Sequence, residues 1–334
     1  MLLTMPVTVR SFAKINLGLY IGPRRSDGFH ELRTVYQTIA LHDVLRVSVQ
    51  RGSGIEIRCA DPRVPTDPTN TCYRMLERAT AELGAKVKVL LEIEKRLPVQ
   101  GGLGGASGNA VAALLGLELA VNKQLPAPSR LRLAAAVGSD VPLFLVAGTV
   151  LGVSHGEEVY PLPDLPETPC VIATPAIAVS TPKAFADWDA NAAKLTESNP
   201  SDRIIEFSRE ISAWLSSGPS KKTSKGRFAG VPARGRGRAE TLLLDLVRTG
   251  IENDFEKVVF PQYPALCDVK CALERAGAFY ASLSGSGSAL YGLFKTKAAA
   301  QKAAGRLRKD GIPAEATVTL TRPQYWKKSR VSSS

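Results

Sequence analysis

Glycine is concentrated in one short segment of the chain, between two stretches of regular pattern. Residues 97–111 read LPVQGGLGGASGNAV and contain five glycines. Glycine lets backbone N–H groups turn toward a ligand, and a helix that begins near Ser107 directs its positive end toward an anion. The segment therefore predicts a phosphate-binding loop. It lacks the Gly-Lys-Ser/Thr ending of a P-loop, and Ser107 takes the place of the third glycine of GxGxxG, so a flexible connection remains the alternative reading.

Two charged residues interrupt apolar sequence and are candidates for chemistry. Lys14 lies in an otherwise apolar strand pattern, and a buried lysine requires an anionic partner. Asp140 follows an Ala-rich helical pattern and a Gly-Ser turn, and it precedes VPLF, which we predict as a strand. The sequence pattern leaves both a turn role and a catalytic role open for this acid.

Two further turns carry small, polar or aromatic residues. One reads Asp-Gly-Phe-His at residues 27–30, and the other is the Gly/Ser turn of YASLSGSGSALYGLF, with Gly285 and Gly287. Small residues in the second turn permit close approach of a ligand or of a neighbouring backbone. A simple hairpin accounts for that turn equally well.

The elements that must position these residues follow from periodicity, caps and turn signals. A helix capped by Asn70 or Thr71 precedes a strand, the glycine-rich segment and an Ala/Leu-rich helix from Ser107. The prolines of PLPDLPETP mark a domain crossing, which gives an α+β protein with domains at 1–162 and 163–322. The predicted strands are 7–12, 44–50, 55–59, 87–94, 149–153, 170–174, 289–294 and 314–320. The other predicted helices are 129–137, 203–215, 239–248, 264–276 and 297–309.

Composition narrows the class of protein. The 334 residues include 43 Lys+Arg and 31 Asp+Glu, and 44% of them are hydrophobic. The excess positive charge lies in a Gly/Ser-rich stretch at 216–238, which we predict to be a disordered insertion, and toward the C-terminus, where we predict a basic tail at 323–334. Apolar runs are too short to span a bilayer, and five scattered cysteines do not form a disulfide framework, so we expect a cytoplasmic protein.

Five segments together resemble the GHMP kinases, a superfamily of small-molecule kinases. They are AKINLGLYIGPRRSDGFHEL, EKRLPVQGGLGGASGNA, GSDVPLFL, NDFE and LSGSGSALYGLF, in the order found in the family and across nearly the whole chain. The resemblance implies a ribosomal-protein-S5-domain-2-like N-terminal domain, a ferredoxin-like C-terminal domain and an active site in the cleft between them. Within the superfamily the segments are similar to members that use ATP to phosphorylate the 2-hydroxyl of 4-diphosphocytidyl-2-C-methyl-D-erythritol, in the non-mevalonate isoprenoid pathway.

The resemblance also implies residue roles. Asp140 would be the general base and Lys14 its electrostatic partner, which fits the need of a hydroxyl nucleophile for a positioned carboxylate. Asn16 would face the erythritol moiety, and Ser107 would lie near Mg²⁺. The residues implied to hold ATP are Pro98, Val99, Gln100, Gly101, Gly102, Leu103, Gly104, Gly105, Ala106, Ser107, Gly108 and Asn109 of the loop, together with Asn70 and Lys95 near the adenine.

Substrate recognition follows from the same resemblance. Phe29 and Phe185 would hold the cytosine ring between them, while His30 would hydrogen-bond its edge. The Gly285, Ser286 and Gly287 turn would close the site from the second domain. The expected cofactors are ATP and Mg²⁺, and the expected partner is a small molecule with a cytidine diphosphate moiety. We expect a monomer or weak homodimer that binds neither membrane nor nucleic acid.

Two positions depart from the family pattern. Phe29 stands where the family usually has Tyr, and Gly108 stands where it often has a second Ser. Stacking survives the first change, and the second leaves the backbone donors of the loop in place. Another GHMP kinase, acting on mevalonate, a sugar or homoserine, and a nucleic-acid-binding protein with a basic tail are the alternative functions.

Overall fold

The computed structural model describes residues 5–99, 101–195, 204–209, 211–212 and 251–330. Gln100, the predicted insertion at 216–238 and the predicted helix at 239–248 therefore lie outside the described residues. Residues 204–209 and 211–212 are helical, within the helix predicted for 203–215. No helix in the described ranges combines the length and apolar character needed to cross a bilayer.

A long antiparallel hairpin dominates the first lobe. Its strands β1 (Val7–Arg24) and β2 (His30–Arg51) pair from Val7 opposite Val47 to Arg24 opposite His30, with register shifts along the way. The sequence predicted the outer parts of these strands and a strand pattern around Lys14, but not their full length, because their central residues are buried on both faces and do not alternate. The sheet continues on either side of β2, in the order β3-β4-β2-β5-β6. The added strands are β3 (Ile55–Cys59), β4 (Val87–Glu94), β5 (Thr149–Val153) and β6 (Glu158–Pro161).

Four helices complete the first lobe: α1 (Thr71–Glu82), α2 (Gly105–Ala120), α3 (Ala127–Val137) and α4 (Leu143–Val146). The prediction of a strand after Asp140 was wrong, because Val141 and Pro142 lie in a turn and Leu143–Val146 form α4. A four-residue apolar run has no periodicity that separates a buried strand from a buried helix. Pro142, with φ of −59°, caps the short helix, and Ala147, with φ of +60°, ends it.

The second lobe is a four-stranded antiparallel sheet covered by helices. Its strands β7 (Pro169–Ala173), β8 (Tyr280–Leu283), β9 (Leu290–Leu293) and β10 (Ala314–Val318) lie in the order β10-β7-β9-β8. With α7 (Pro264–Arg275) and α8 (Lys297–Lys309), this is the β-α-β-β-α-β arrangement of a ferredoxin-like domain. Two more helices, α5 (Thr181–Leu195) and α6 (Glu256–Gln262), were not predicted. The predicted two-lobe α+β architecture is confirmed; the domain bounds 1–162 and 163–322 stay predictions.

The predicted basic tail at 323–334 begins with a helix, because residues Arg322–Ser329 form α9. Thr321 and Gln324 make a reciprocal capping box at its start, a signal that the sequence offered as Thr-x-x-Gln. The prediction for this segment rested on its positive charge and did not include the helix.

Helix α9 packs on the first lobe. Tyr325 is buried there, with its ring 5.2 Å from that of Phe12 in β1. The guanidinium of Arg322 donates hydrogen bonds to the carbonyls of Val146 and Thr149, at 3.0 and 3.1 Å. The chain therefore returns to the first lobe after completing the second sheet, and it holds the segment that follows Asp140 in place.

Candidate active site

Lys14 is a buried cation in the middle of β1. Only 3% of its side chain is exposed, and its Nζ donates a 2.6 Å hydrogen bond to Oδ1 of Asn16. Asn16 in turn donates to the hydroxyl of Thr34 on β2, at 2.8 Å. The anionic partner that the sequence required is Asp140, whose Oδ2 lies 3.3 Å from the Lys14 Nζ. The structure therefore brings the two predicted catalytic residues together.

Asp140 lies in the turn between α3 and α4 and is one-third exposed, at 33%. One carboxylate oxygen, Oδ2, faces Lys14, and the other, Oδ1, accepts a 2.9 Å hydrogen bond from the hydroxyl of Tyr36. A carboxylate that is oriented at both oxygens and still reaches solvent is suited to accept a proton from a bound hydroxyl. Sequence reasoning missed Tyr36, because an aromatic residue in an apolar strand is usually a core residue.

The glycine-rich loop lies directly against Lys14. The Lys14 N–H donates to the carbonyl of Leu103 at 3.0 Å, and Gly104, with φ of +68°, leaves only 3.0 Å between its missing Cβ and Cγ of Lys14. Helix α2 begins at Gly105, two residues before the predicted start, so its free N–H groups belong to the loop. The loop borders a cavity of about 310 Å³. Phosphates bound by the loop would thus lie beside the lysine.

Most of the predicted ATP residues line this cavity. Those that do so are Pro98, Val99, Gly101, Gly102, Leu103, Gly104, Gly105, Ala106, Ser107, Asn109, Asn70 and Lys95. Sequence reasoning missed another part of the cavity wall. It is formed by residues of the proline-rich connection after β3, among them Arg63, Val64, Pro65 and Thr69. No motif marks that connection, and only its position against the loop identifies it.

Asn70 and Lys95 each have a structural partner at the cavity wall. The Asn70 side chain accepts from the Cys72 N–H at 2.8 Å and donates to the Pro65 carbonyl at 2.5 Å, so it caps α1, as its sequence position also suggested. Lys95 contacts the carboxylate of Asp43 at 2.7 Å. Their predicted role near adenine stays a prediction.

Asp43 is a buried acid that anchors both ends of the glycine-rich loop. Its side chain is fully buried on β2, and its Oδ1 accepts hydrogen bonds from the N–H groups of Arg96 and Leu97, both at 2.7 Å. Its Oδ2 accepts from Lys95 at 2.7 Å and from the side-chain amide of Asn109 at 3.0 Å. One carboxylate therefore holds the residues just before the loop and the first turn of α2.

Gly108 faces the sheet and does not line the cavity. A Cβ at this position would lie 2.9 Å from the Phe12 carbonyl oxygen and 2.9 Å from the Ser11 hydroxyl. The first turn of α2 is therefore packed closely on β1, which explains the glycine here. Ser107 is left as the hydroxyl of this turn that borders the cavity.

The second glycine turn, residues 284–288, meets the first one. The Ser284 hydroxyl donates to the Gly102 carbonyl at 3.0 Å, and the Ala289 N–H donates to the Gly101 carbonyl at 3.1 Å. Asn253, from the NDFE segment, shapes the turn by donating 2.8 Å hydrogen bonds to the carbonyls of Leu283 and Gly285.

The turn also lies close to Lys14 and Asn16. A Cβ on Gly285 would lie 3.5 Å from Nζ of Lys14 and 3.6 Å from Oδ1 of Asn16, and the Ser286 hydroxyl lies 2.6 Å from that of Thr181. Gly287 has a φ of +97°, which glycine adopts without strain. The second lobe thus contacts the site through this turn.

The aromatic residues lie where β1 and β2 join and where α5 packs on that junction. The rings of His30 and Phe185 stack at 5.0 Å and 10°, and Nε2 of His30 lies 2.6 Å from Oδ1 of Asp189 on α5. Phe29 is 55% exposed and stacks on His155 at 4.9 Å. Each phenylalanine therefore contacts a histidine ring, and the predicted cytosine site between Phe29 and Phe185 stays a prediction.

The side chains near the glycine-rich loop show how Mg²⁺ could be bound. Among the described residues no three His, Cys, Asp or Glu side chains cluster as metal ligands. Mg²⁺ in phosphoryl-transfer sites is bound by few protein groups and by the substrate phosphates, so a single hydroxyl at the loop fits that mode. Ser107 is the residue here that meets this description.

Sequence comparison places this site in a known class. Residues 70–148 match the family described as GHMP kinases N terminal domain, and residues 238–312 match GHMP kinases C terminal. The two matches fall in the two lobes, and the first contains the glycine-rich loop and Asp140. The protein is a kinase of the GHMP class.

Two relatives that match nearly the whole chain identify the family within this class of kinases. The 4-diphosphocytidyl-2-C-methyl-D-erythritol kinase of Solibacter usitatus (strain Ellin6076) is 36% identical over 303 residues, which cover 90% of this chain and 85% of the relative. The enzyme of the same name from Chlorobium phaeovibrioides (strain DSM 265 / 1930) is 35% identical and covers 96% of this chain and 97% of its own. The chain belongs to the 4-diphosphocytidyl-2-C-methyl-D-erythritol kinase family.

Solved structures agree with this assignment. A crystal structure of 4-(cytidine 5'-diphospho)-2C-methyl-D-erythritol kinase superposes with a TM-score of 0.69 at 28% identity, covering 93% of this chain and 98% of that one. The homoserine kinase of Cytophaga hutchinsonii superposes with a TM-score of 0.66 at 19% identity, covering 95% of each chain. The second likeness shows the fold alone.

Proposed function

We propose that the protein transfers the γ-phosphoryl group of ATP to the 2-hydroxyl of 4-diphosphocytidyl-2-C-methyl-D-erythritol, releasing ADP and the 2-phosphate, in the non-mevalonate isoprenoid pathway. The observation that carries the proposal is the Lys14–Asp140 pair, at 3.3 Å, beside a glycine-rich loop that borders a cavity of about 310 Å³. Family membership and the full-length relatives named for this reaction support the choice of substrate.

Asp140 acts as the general base. Its carboxylate accepts the proton of the substrate 2-hydroxyl as the oxygen attacks the γ-phosphorus, and the bond from that phosphorus to the bridging oxygen of ADP breaks. Lys14 lies beside it, with its Nζ 3.3 Å from Oδ2 of Asp140 and 2.6 Å from Oδ1 of Asn16. Its positive charge stabilises negative charge on the transferred group.

The glycine-rich loop binds the phosphates. Its backbone N–H groups and the start of α2 present positive ends to the anion, and its glycines allow the close approach. Asp43 holds this arrangement before substrate arrives, through the hydrogen bonds described above. Ser107 is the residue that would hold Mg²⁺, which would neutralise phosphate charge when bound.

The substrate's cytidine end lies toward His30 and Phe185, and Asn16 faces the erythritol end. His30 is oriented by Asp189 at 2.6 Å, which leaves its other ring nitrogen for the base edge. Phe29, which is 55% exposed, supplies an aromatic face at the rim of the site. The Gly285–Ser286–Gly287 turn covers the reacting groups from the second lobe.

The decisive experiment measures ADP formation with purified protein, ATP, Mg²⁺ and the cytidyl substrate. Mevalonate, galactose and homoserine serve as control acceptors, and Asp140→Asn is the control variant. Turnover with the cytidyl substrate alone, reduced in the variant by about 10²-fold or more, supports both substrate and base. Turnover with another acceptor alone would overturn the roles given to His30, Phe29 and Phe185.

Other expectations belong to the same proposal. We expect a cytoplasmic enzyme that is a monomer or weak homodimer and does not bind nucleic acid. Salt-sensitive nucleic-acid binding that is lost when residues 216–238 or 323–334 are deleted would favour the alternative function. Loss of turnover on adding EDTA and its recovery with Mg²⁺ would support the metal.

A further inference from the structure

Tyr36 is a tyrosine whose hydroxyl points at the proposed base. It lies on β2, only 2% of its side chain is exposed, and its hydroxyl donates a 2.9 Å hydrogen bond to Oδ1 of Asp140. We propose that Tyr36 is a positioning residue for phosphoryl transfer, which fixes the Asp140 carboxylate so that Oδ2 accepts the substrate proton. The inference rests on the proposed function, in which Asp140 is the base.

The pocket around Tyr36 holds the ring in one place. A Cβ on Gly152 of the neighbouring strand β5 would lie 2.5 Å from Cε2 of the ring, and one on Gly156 would lie 2.8 Å from the hydroxyl oxygen. Gly156 has a φ of +104°, a conformation that disfavours any side chain. Two glycines therefore leave space for this ring and its hydroxyl, and the ring cannot swing away without displacing backbone.

The two oxygens of Asp140 differ in what they contact. Oδ1 is engaged by the Tyr36 hydroxyl at an ordinary hydrogen-bond length. Oδ2 lies 3.3 Å from the Lys14 Nζ, longer than a typical charge-assisted hydrogen bond, while the same nitrogen donates a 2.6 Å bond to Asn16. Oδ2 is thus close to a positive charge and still has a lone pair for the substrate hydroxyl.

Tyr36 can act in this way only while it keeps its proton. Burial, together with the neighbouring carboxylate of Asp140, raises the pKa of the Tyr36 hydroxyl well above its ordinary value. The charged groups that face it are Lys14 from β1, with Nζ 5.6 Å from the ring centroid, Asp140 from the α3–α4 turn, and Glu157 from the β5–β6 turn. The hydroxyl therefore donates to Asp140 at working pH and does not compete with it as a base.

The test compares Tyr36→Phe with Tyr280→Phe. The first change removes one hydroxyl and keeps the ring that fills the pocket. Tyr280 is its matched control, since its hydroxyl also donates from a largely buried position, to the carbonyls of Leu17 and Ile251 at 2.7 and 3.0 Å, without reaching Asp140. For each protein kcat, both KM values and the thermal midpoint are measured.

We expect Tyr36→Phe to lower kcat by about tenfold, which corresponds to the loss of one hydrogen bond to a charged group, and to leave both KM values unchanged. The loss should appear in kcat and in neither KM value, because a misaligned carboxylate affects the reaction step and leaves substrate binding intact. Each enzyme is assayed well below its thermal midpoint, so that a lower kcat does not reflect a smaller folded fraction.

The outcomes separate this inference from the proposed function. A Tyr36→Phe enzyme with wild-type kcat, or with only the changes seen in Tyr280→Phe, overturns the positioning role. If Asp140→Asn is inactive in the same assay, the proposed function survives that result. Full activity of Asp140→Asn would instead overturn the role of Asp140 as the base, and absence of turnover with the cytidyl substrate in the parent enzyme would overturn the proposed function.

Discussion

The hydroxyl of Ser284 donates a 3.0 Å hydrogen bond to the backbone carbonyl of Gly102, and so joins the glycine turns of the two lobes. Gly102 has a φ of +76°, and a Cβ on it would overlap the Ser284 carbonyl. The glycine-rich loop and the turn at 284–288 are therefore in direct contact. Their spacing depends on the absence of a side chain at one position.

Gly102→Ala should lower activity and stability together. The alanine meets both the left-handed backbone strain and the overlap with Ser284, and displacing that carbonyl shifts the second turn. We expect the strain alone to cost about 1–2 kcal/mol of unfolding free energy and kcat to fall by more than tenfold. Steady-state kinetics and urea unfolding provide the measurement.

Gly84→Ala is the control for that change. Gly84 has a φ of +60°, and a Cβ on it would meet nothing within 4 Å. It carries the same kind of strain without the overlap, so it should lose stability and keep its kcat. Equal kinetic losses in both variants would show that the contact between the turns has no role in catalysis.

Asp43→Asn should raise the KM for ATP by about tenfold or more, since misplacing a binding loop is costly. The amide presents a donor to groups that already donate, namely Lys95, Asn109 and the N–H groups of Arg96 and Leu97. The loop is then held less firmly at both ends. The KM for the cytidyl substrate should change little, and the ratio of the two values is the measurement.

Glu118→Gln is a matched control for Asp43→Asn. Glu118 is also a buried acid, bound by Arg130 at 2.6 Å and by the Leu125 N–H at 2.9 Å, on the far part of α2. Breaking either buried pair should cost about 3–5 kcal/mol of stability. If Glu118→Gln raises the KM for ATP as much as Asp43→Asn does, the effect is one of general stability and not of loop position.

Phe185→Leu should weaken binding of the cytidyl substrate. Loss of an aromatic stacking face costs about 1–3 kcal/mol per base, so the KM for this substrate should rise about tenfold while that for ATP stays constant. Phe260→Leu is the control variant. Phe260 packs against the hydrophobic core of the second lobe, and Nζ of Lys270 lies 5.8 Å from its ring centroid. An unchanged KM in Phe185→Leu would remove this residue from the proposed cytosine site.

Tyr325→Ala should destabilise the first lobe. The ring is buried against Phe12, and removing a buried aromatic side chain typically costs about 3–5 kcal/mol. Chemical unfolding would show the loss, and Tyr160→Ala, at a residue that is 53% exposed, should remain within about 0.5 kcal/mol of the parent. Equal stability of the two variants would contradict the docking of α9 on this lobe.

Local signals in the sequence accounted for a large part of the fold. The strand at 87–94 and the helix at 297–309 have the predicted bounds, and Asn70 caps α1 as its position indicated. These elements carry their own alternation, cap or helical composition within a few residues. The glycine-rich loop was recognised for the same reason, because its composition and its place between a strand and a helix are local facts.

The sequence by itself also determined which residues needed partners, since a lysine in an apolar strand requires an anion. The resemblance to the GHMP kinases already paired this lysine with Asp140, and the tertiary structure places the two 3.3 Å apart. Only the tertiary structure decided that Tyr36 and Asp43 are polar anchors inside an apolar strand, that VPLF leads into a helix, and that the basic C-terminal segment docks on the first lobe. Each of these depends on groups far apart in the chain. The energy of a buried polar contact is set by which groups surround it, and that is fixed only when the strands and helices pack.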